Sequence, residues 1–300
     1  MRIMKNLCKD KLALIPLVII IVMIIAGLFA PFFAPHDPNG VNMGLRYASP
    51  SWEHLLGNDH LGRCILSRLI YGIRPSVLWV LAALFISILI GAVLGFLAGY
   101  FRGKVDAVIM RICDIMLSFP GYVMTLAIVG ILGVGLENIL IAFILVKWAW
   151  FARVIRTSAM QYSELEYVKF SKAAGISDLK IIYKHLIPVT FSDIAVISSS
   201  SIGSMILQIS GFSFLGLGIQ APNAEWGMML NEAREVMFTR PELMLAPGLA
   251  IVIVVLAFNF LSDALQVALD PKLIKSKNKL DEKLETSKIK LQEREVANKL

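Results

Sequence analysis

The sequence predicts an all-α integral membrane protein, and three observations carry that expectation. Of 300 residues, 57% are hydrophobic, and the mean hydropathy is +0.72, well above that of a soluble enzyme. Apolar runs close to ~20 residues, the length that crosses the hydrocarbon core as a helix, recur along the chain. Basic residues gather in alternate gaps between those runs. A soluble domain can hide one such run but not six. Spans are expected at 12–33, 77–101, 106–134, 137–156, 190–218 and 244–268, forming one helical bundle. No tandem repeat of solenoid period is visible.

The first run follows a basic start and ends in small residues at "AGLFAP", much as a signal peptide does. Its apolar stretch exceeds the roughly 7–15 residues of a signal core, so an uncleaved first helix is expected. Charge then sets the orientation. With the N-terminus inside, segments 1–11, 102–111, 153–184 and 272–299 hold 22 of the 29 Lys and Arg residues. Segments 31–75 and 219–243 hold 6, and Lys147 stays in a span. Six spans and two cytoplasmic termini follow. The net charge of +7 is therefore a topology signal, and no nucleic-acid partner is implied. Cys8, Cys64 and Cys113 fall inside, outside and within the membrane, so they form no disulfide framework. The Lys/Glu-rich tail from Lys272 to Leu300 reads as a solvated cytoplasmic helix.

One stretch departs from the oily pattern: "SELEYVKFSKAAGISDLKIIYKHLIPV", Ser163 to Val189. Ser163 followed by Glu166 is a capping-box pattern for a helix running to Ala174. Gly175 suits the left-handed position that ends such a helix. Ser177 or Asp178 can cap a second helix carrying Leu179, Ile182, Tyr183 and Leu186 at helical spacing. Pro188 then begins the entry into the next span. A plain amphipathic loop lying on the membrane surface is the alternative.

Other candidate chemistry is sparse. A phosphate-binding loop needs G-x-x-x-x-G-K-[ST], and the nearest string, "AGYFRGKV", has Ala98 at the first glycine and Val105 after Lys104. Arg111 and Asp114 share a helical face near the end of the third span, as a structural ion pair or a transport gate. Lys147 can snorkel or face a cavity; Asn259 and Asp263 are placed to tie helices together. The small residues of "SSSSIGS", Ser198 to Ser204, favour close helix–helix approach over a serine nucleophile. His36, His54, His60 and His185 all fall outside the spans, so no base accompanies that serine. His60 and Cys64 have workable helical ligand spacing, with His54 and Asp59 nearby. They lack a defined third ligand, and no metal site is expected. The thirteen methionines read as packing filler. The loop from Gln220 to Leu243 carries Glu225, Glu232, Glu235 and Glu242 against Arg234 and Arg240. It could form a docking surface, or a re-entrant segment packed on its own bundle.

Gly175 and Pro188, with twelve residues between them, resemble the EAA loop in permease subunits of ATP-binding-cassette importers. The triplet itself falls on Lys169, Phe170 and Ser171, and "EYVKFSKAAG" is similar to the variant of the peptide and nickel branch. Further blocks agree: "SWEHLLGNDHLGRCILSRLIYGIRPS", "MRICDIMLSFP", "GFSFLGLGIQAPNAEWGMMLNEAR" and "FNFLSDALQVALDPKL". The resemblance covers about residues 10–273, of the second-permease type. Cys64 stands where the family usually has Asp, and Gln266 where Arg is common, so neither position is given an ionic role.

The resemblance implies a type I importer permease fold with six transmembrane helices in the cytoplasmic membrane of a prokaryote. It implies residues 1–75 as N-terminal and external segment, 76–271 as core permease, and 272–300 as tail. Expected partners are a second homologous permease, two ATPase subunits carrying the ATP and Mg, an extracytoplasmic solute-binding protein, and membrane lipid. This chain would hold no cofactor and catalyse no reaction. Coupling to the ATPases would fall on Glu166, Tyr167, Lys169, Ala173, Ala174, Gly175, Asp178, His185 and Pro188. The binding protein would meet Glu225, Trp226, Gly227 and Arg234. The implied cargo is nickel, a metal chelate or a short peptide. From another class, a stand-alone carrier or channel driven by an ion gradient remains open.

Overall fold

The computed structural model describes residues 11–269, and the first ten residues, Cys8 and the tail from 270 onward lie outside the described part. Among the described residues the only β-pairing is one isolated bridge, Asn58 to Cys64. Helix α1 (Lys11–Leu28) and the single turn α2 (Ala30–Phe33) lead into an irregular segment, 34–64. Then comes α3 (Ile65–Ile73), which passes through a π-helical turn, Arg74–Leu78, into α4 (Trp79–Phe101). Helices α5 (Gly103–Leu117), α6 (Gly121–Leu132), α7 (Leu136–Ser163) and α8 (Glu166–Ala173) follow. A short α9 (Asp178–Ile181) enters a second π-helical turn, Ile182–Leu186, and continues as α10 (Ile187–Phe214). The described chain ends with α11 (Trp226–Ala233) and α12 (Glu242–Leu269).

Four helical stretches are long and apolar enough to cross a membrane: Ile65–Phe101, Leu136–Ser163, Asp178–Phe214 and Glu242–Leu269. The expected span starts at 77 and 190 fall inside two of them, each 37 residues long. At 1.5 Å per residue such a helix is about 56 Å, against about 30 Å of hydrocarbon, so one end of each protrudes. Both carry a proline at or just beyond the π-helical turn, Pro75 and Pro188. Proline brings no N–H and crowds the carbonyl one turn back, and a widened turn relieves both. Helix α1 is apolar but short, and its last carbonyls are capped from outside. Arg74 Nε donates to the Gly27 carbonyl at 2.7 Å and Nη2 to that of Leu28 at 2.9 Å.

The single helix expected over 106–134 is instead the bent pair α5 and α6, with 84° between them. Pro120 accounts for the break, because it removes a donor and bars helical backbone at Phe119. The arms have 15 and 12 residues, so neither alone reaches across.

Helices α4 and α7 form the most extensive pair and run parallel. Gly91, Gly95 and Gly99, one turn apart, supply the contact. A Cβ on them would meet the carbonyl oxygens of Trp148 at 2.9 Å, Ala152 at 2.7 Å and Arg156 at 2.7 Å. Only a missing side chain lets the backbones come this near, as at small-residue membrane interfaces. Gly95→Ala is therefore expected to cost about 1–3 kcal/mol, because backbone rather than a flexible side chain must move. The check is the temperature at which detergent-purified protein stops eluting as a single species. Gly130→Ala, whose Cβ meets nothing within 4 Å, should not lower it.

Because α4 and α7 run parallel, α5 with α6 returns the chain from the end of the one to the start of the other. Helices α10 and α12 run antiparallel, with a Cβ on Gly203 only 2.6 Å from Asn259 Oδ1 and Ser199 Oγ donating to Ser262 Oγ at 3.1 Å. The serine-rich stretch thus serves a contact within the chain. Asp263 does not join it: the side chain is exposed and forms no ion pair among the described residues.

Candidate functional site

Two ends of the bundle carry polar machinery, one around 164–185 and one around 34–64 with 215–241. At the first, α8 ends as the glycine pattern predicts. Gly175 has φ +78°, its N–H donates to the Lys172 carbonyl, and the Ile176 N–H reaches back to Ser171. This paired closure satisfies the last carbonyls of α8 and turns the chain sharply. The start differs from expectation. Leu165, not Ser163, occupies the cap of α8; Ser163 belongs to α7 and its Oγ donates to the Met160 carbonyl. The second helix has no separate end either, since α9 passes without interruption into α10.

The apolar residues of this helix–turn–helix divide. Val168, Ile181, Ile182 and Leu186 are buried against the bundle. Phe170, Leu179 and Tyr183 face away and are 75%, 71% and 73% exposed. Among the predicted coupling residues, Glu166, Tyr167, Lys169, Ala173, Ala174, Gly175 and Pro188 are exposed, and Asp178 and His185 are half-buried. The loop is braced rather than free. Tyr100 OH, at the end of α4, donates to Asp178 Oδ1 at 2.6 Å, and His185 Nε2 lies 3.4 Å from Ser171 Oγ. Glu164 takes Arg102 at 2.5 Å and Lys169 at 2.7 Å. Lys169 first, then Arg102, hold the Glu164 carboxyl below the usual carboxylate range. Such an exposed pair adds little stability but fixes orientation.

The predicted pairing of Arg111 with Asp114 is not formed. Asp114 instead meets Arg153 of α7, and Asp106 likewise takes Arg156, so α5 is pinned to α7 by two ion pairs. Along one helix the pair would run basic before acidic, the less favourable order, and a neighbouring helix supplies a better-placed guanidinium. Lys147 is half-buried beside Ser201 and Ser204 in a cavity of about 160 Å³ between α4, α7 and α10.

At the other end, Glu225, Trp226 and Gly227 are buried, which corrects their reading as a partner contact. Glu225 caps α11, accepting from the N–H groups of Gly227 and Met228 at 2.9 and 2.8 Å and from Ser76 Oγ at 3.1 Å. Trp226 Nε1 donates to the Leu69 carbonyl at 3.0 Å. A Cβ on Gly227 would lie 2.4 Å from the Ser210 carbonyl oxygen. These three residues fasten the loop onto α3 and α10, the re-entrant alternative. Arg234 is exposed, as are Trp52 and Phe238 at 97% and 89%, which the sequence did not single out.

Burial pushes the Glu225 carboxyl above the usual carboxylate value, against the pull of its backbone donors. A raised folded value means the folded state holds its proton longer. The desolvation cost is absent below the unfolded pKa of about 4.3 and grows as pH rises through the folded value. Glu225→Gln should flatten that decline, measured as thermal stability in detergent at stepped pH between about 4 and 8.

Four charges lock the same end. Arg63 Nε donates to Asp59 at 2.6 Å and Nη2 to Glu232 at 2.8 Å, while Arg68 Nη2 reaches Glu232 at 3.1 Å. Both guanidiniums are 1% exposed. Arg68 Nη1 also donates to the carbonyls of Pro38 and Pro222, joining three chain segments. His60 and Cys64 do not converge. Cys64 faces His36 and His54, whereas His60 stands with Asp59 and Glu232. A cavity of about 630 Å³ opens beside this lock, walled by Asp37, Asn39, Arg74, Trp79, Glu137 and Asn223 among others.

Comparison with known proteins agrees with this architecture. The family described as binding-protein-dependent transport system inner membrane component matches residues 91–275. The N-terminal TM domain of oligopeptide transport permease C matches residues 1–50. The chain is 63% identical over 280 residues to the metal-staphylopine import system permease protein CntC of Staphylococcus aureus (strain NCTC 8325 / PS 47), covering 93% of this chain and 96% of that one. It is 40% identical over 258 residues to the nickel transport system permease protein NikC of Escherichia coli (strain K12), 86% and 93% of the two chains. The dipeptide transport system permease protein DppC of Alkalihalophilus pseudofirmus is 39% identical over 269 residues, 90% and 88%. A match this long, over helices arranged this way, makes the chain a member of the binding-protein-dependent inner membrane component family, a multi-pass permease subunit of the peptide and nickel branch of ABC importers.

Proposed function

We propose that this permease admits a metal chelate of the metallophore type, with free or chelated nickel and short peptides as the neighbouring options. The relative at 63% identity is named for metal-staphylopine import, while nickel and dipeptide relatives stand near 40%. Half-buried Lys147 beside Ser201 and Ser204 would offer a fixed positive charge to an anionic chelate passing the bundle.

The single observation carrying the mechanism is the braced helix–turn–helix with Phe170, Leu179 and Tyr183 facing out. In this reading it sits in the ATPase, and its continuity with α10 turns a push there into movement of a membrane helix. A rigid lever transmits such motion; a loose loop absorbs it. Two ATPases would bring ATP and Mg, and this chain would catalyse no step itself. The exposed apolar flank of α5 and α6, including Val108, Ile115, Val123 and Leu126, suits a second permease or lipid. Trp52, Phe238 and Arg234 are the exposed groups available to an extracytoplasmic binding protein.

The passage of α5 and α6 between parallel α4 and α7 supports six crossings, with α1 as the first. The excess of basic residues supports a cytoplasmic side for 164–185 and both termini in this reading, and the relatives named above are bacterial. Vesicles reconstituted with the chain, its partner permease, the two ATPases and the binding protein should take up labelled metallophore complex on adding ATP. Vesicles holding this chain alone should not, with or without an ion gradient. Uphill uptake by the lone chain would reverse the reading in favour of a stand-alone carrier.

A further inference from the structure

Two groups of metal-ligating side chains meet near the 34–64 segment, and only one is chemically suited to a cation. Asp59, His60 and Glu232 each offer a ligand atom within 4.8 Å of the others. The buried guanidiniums of Arg63 and Arg68 already neutralise both carboxylates and would repel a cation. His36, His54 and Cys64 also bring ligand atoms within 4.8 Å of one another, and no charged side chain is bonded to them among the described residues.

This second group has an unmet need. His54 is 7% exposed and Cys64 2%, while His36 is half-buried. The Nδ1 atoms of His36 and His54 are both shielded from solvent, and neither has a hydrogen-bond partner among the described residues. Buried imidazole nitrogens without partners are uncommon, because each forfeits its hydration for nothing. The two rings lie stacked, with centroids 4.3 Å apart. A metal would satisfy the unpartnered nitrogens, because imidazole nitrogen is a ready ligand for a borderline cation.

The backbones are held ready. His36 N–H donates to Ser67 Oγ at 3.0 Å, His54 N–H donates to Ser51 Oγ at 3.0 Å, and Cys64 pairs with Asn58 across the isolated bridge. Tetrahedral zinc, with bonds of about 2.0–2.3 Å, sets its ligands roughly 3.3–3.8 Å apart. Rotation of the two rings out of their stack can close the remaining ångström or so.

We propose that His36, His54 and Cys64 form a binding site for a borderline divalent transition metal of the zinc type. Three protein ligands leave the fourth position to water. The thiol proton goes to solvent as the sulfur–metal bond forms, so affinity falls in acid. Two nitrogens and one thiolate exclude magnesium and calcium, which prefer oxygen. Since Asp37 and Asn39, just after His36, wall the 630 Å³ cavity, an occupied site fixes that wall to the 51–64 segment. The site follows from these three side chains and does not rest on the identity of the transported cargo.

Cobalt(II) is the probe, added to chelator-stripped, assembled importer in which Cys8 and Cys113 of this chain are replaced by serine. One equivalent should bind, giving tetrahedral visible bands and a sulfur-to-cobalt charge-transfer band, both removed by zinc and untouched by magnesium. Cys64→Ser should abolish the charge-transfer band, and His54→Gln should weaken binding about tenfold or more. His60→Ala should leave the titration unchanged. No saturable cobalt binding by the Cys64-containing complex overturns the proposal, whether or not the variants fold. A charge-transfer band that persists in Cys64→Ser overturns it equally.

Discussion

Arg63→Ala is expected to destabilise the protein by about 3–5 kcal/mol, the usual result of removing one partner from a buried ion cluster. The guanidinium is 1% exposed and bonds two carboxylates, Asp59 at 2.6 Å and Glu232 at 2.8 Å. Its loss leaves Arg68 alone to balance both, and Arg68 is 3.6 Å from Asp59. The segment 34–64 and helix α11 then share an uncompensated negative charge. The readout is the temperature at which purified protein loses its single elution peak in detergent. Glu232→Ala should cost a similar amount, since it leaves Asp59 alone to balance both guanidiniums. The double variant should lose clearly less than the two added together, because each removes what the other leaves unpaired. Additive losses would mean that the four side chains do not act as a unit. An untouched elution profile in Arg63→Ala would show that the lock is not buried in the protein in solution.

The sequence made some elements plain and hid others, for identifiable reasons. The long apolar helices and the turn at Gly175 were legible because each depends on local pattern. The bend at Pro120 was legible in principle, but mean hydropathy over about twenty residues is barely changed by a single proline, and the two arms read as one span. The ladder of Gly91, Gly95 and Gly99 lies outside the expectations above, although three glycines one turn apart in an apolar run mark a close helix contact. The partners of charged residues were not legible. Asp114 meets Arg153 and Arg63 meets Glu232, 39 and 169 residues away, which spacing within one helix cannot anticipate. Glu225 and Trp226 look like surface residues by type, and only the fold shows Ser76 and the Leu69 carbonyl waiting for them. His36, His54 and Cys64 escaped for the same reason. His60 has the better spacing to Cys64, yet the turn that bridges Cys64 to Asn58 sends the two apart.

Under the coupling role proposed for 164–185, Phe170→Ser combined with Tyr183→Ser is expected to release the ATPases and stop uptake, while the permease itself stays folded. Both side chains are about three-quarters solvated in the isolated chain, at 75% and 73% exposure, so polar replacements remove little from the core. Buried in a partner's groove, each aromatic would act as an anchor of about 2 kcal/mol. Losing both weakens docking roughly a thousandfold, at 1.4 kcal/mol per decade. The measurements are ATPase recovery with tagged permease and ATP-driven uptake in vesicles, with the elution profile as folding control. Retained ATPases and uptake would remove the loop from the coupling path. Gly175→Ala makes an informative contrast. Its Cβ would meet nothing within 4 Å, so crowding is not the issue. The φ of +78° is the issue, costing an alanine about 1–2 kcal/mol and tilting α8 against α9. A tilted lever that still docks should keep its ATPases but transport less per ATP hydrolysed, whereas the aromatic pair should lose docking first. That separation would distinguish the surface proposed to grip the ATPase from the turn proposed to set the angle of push.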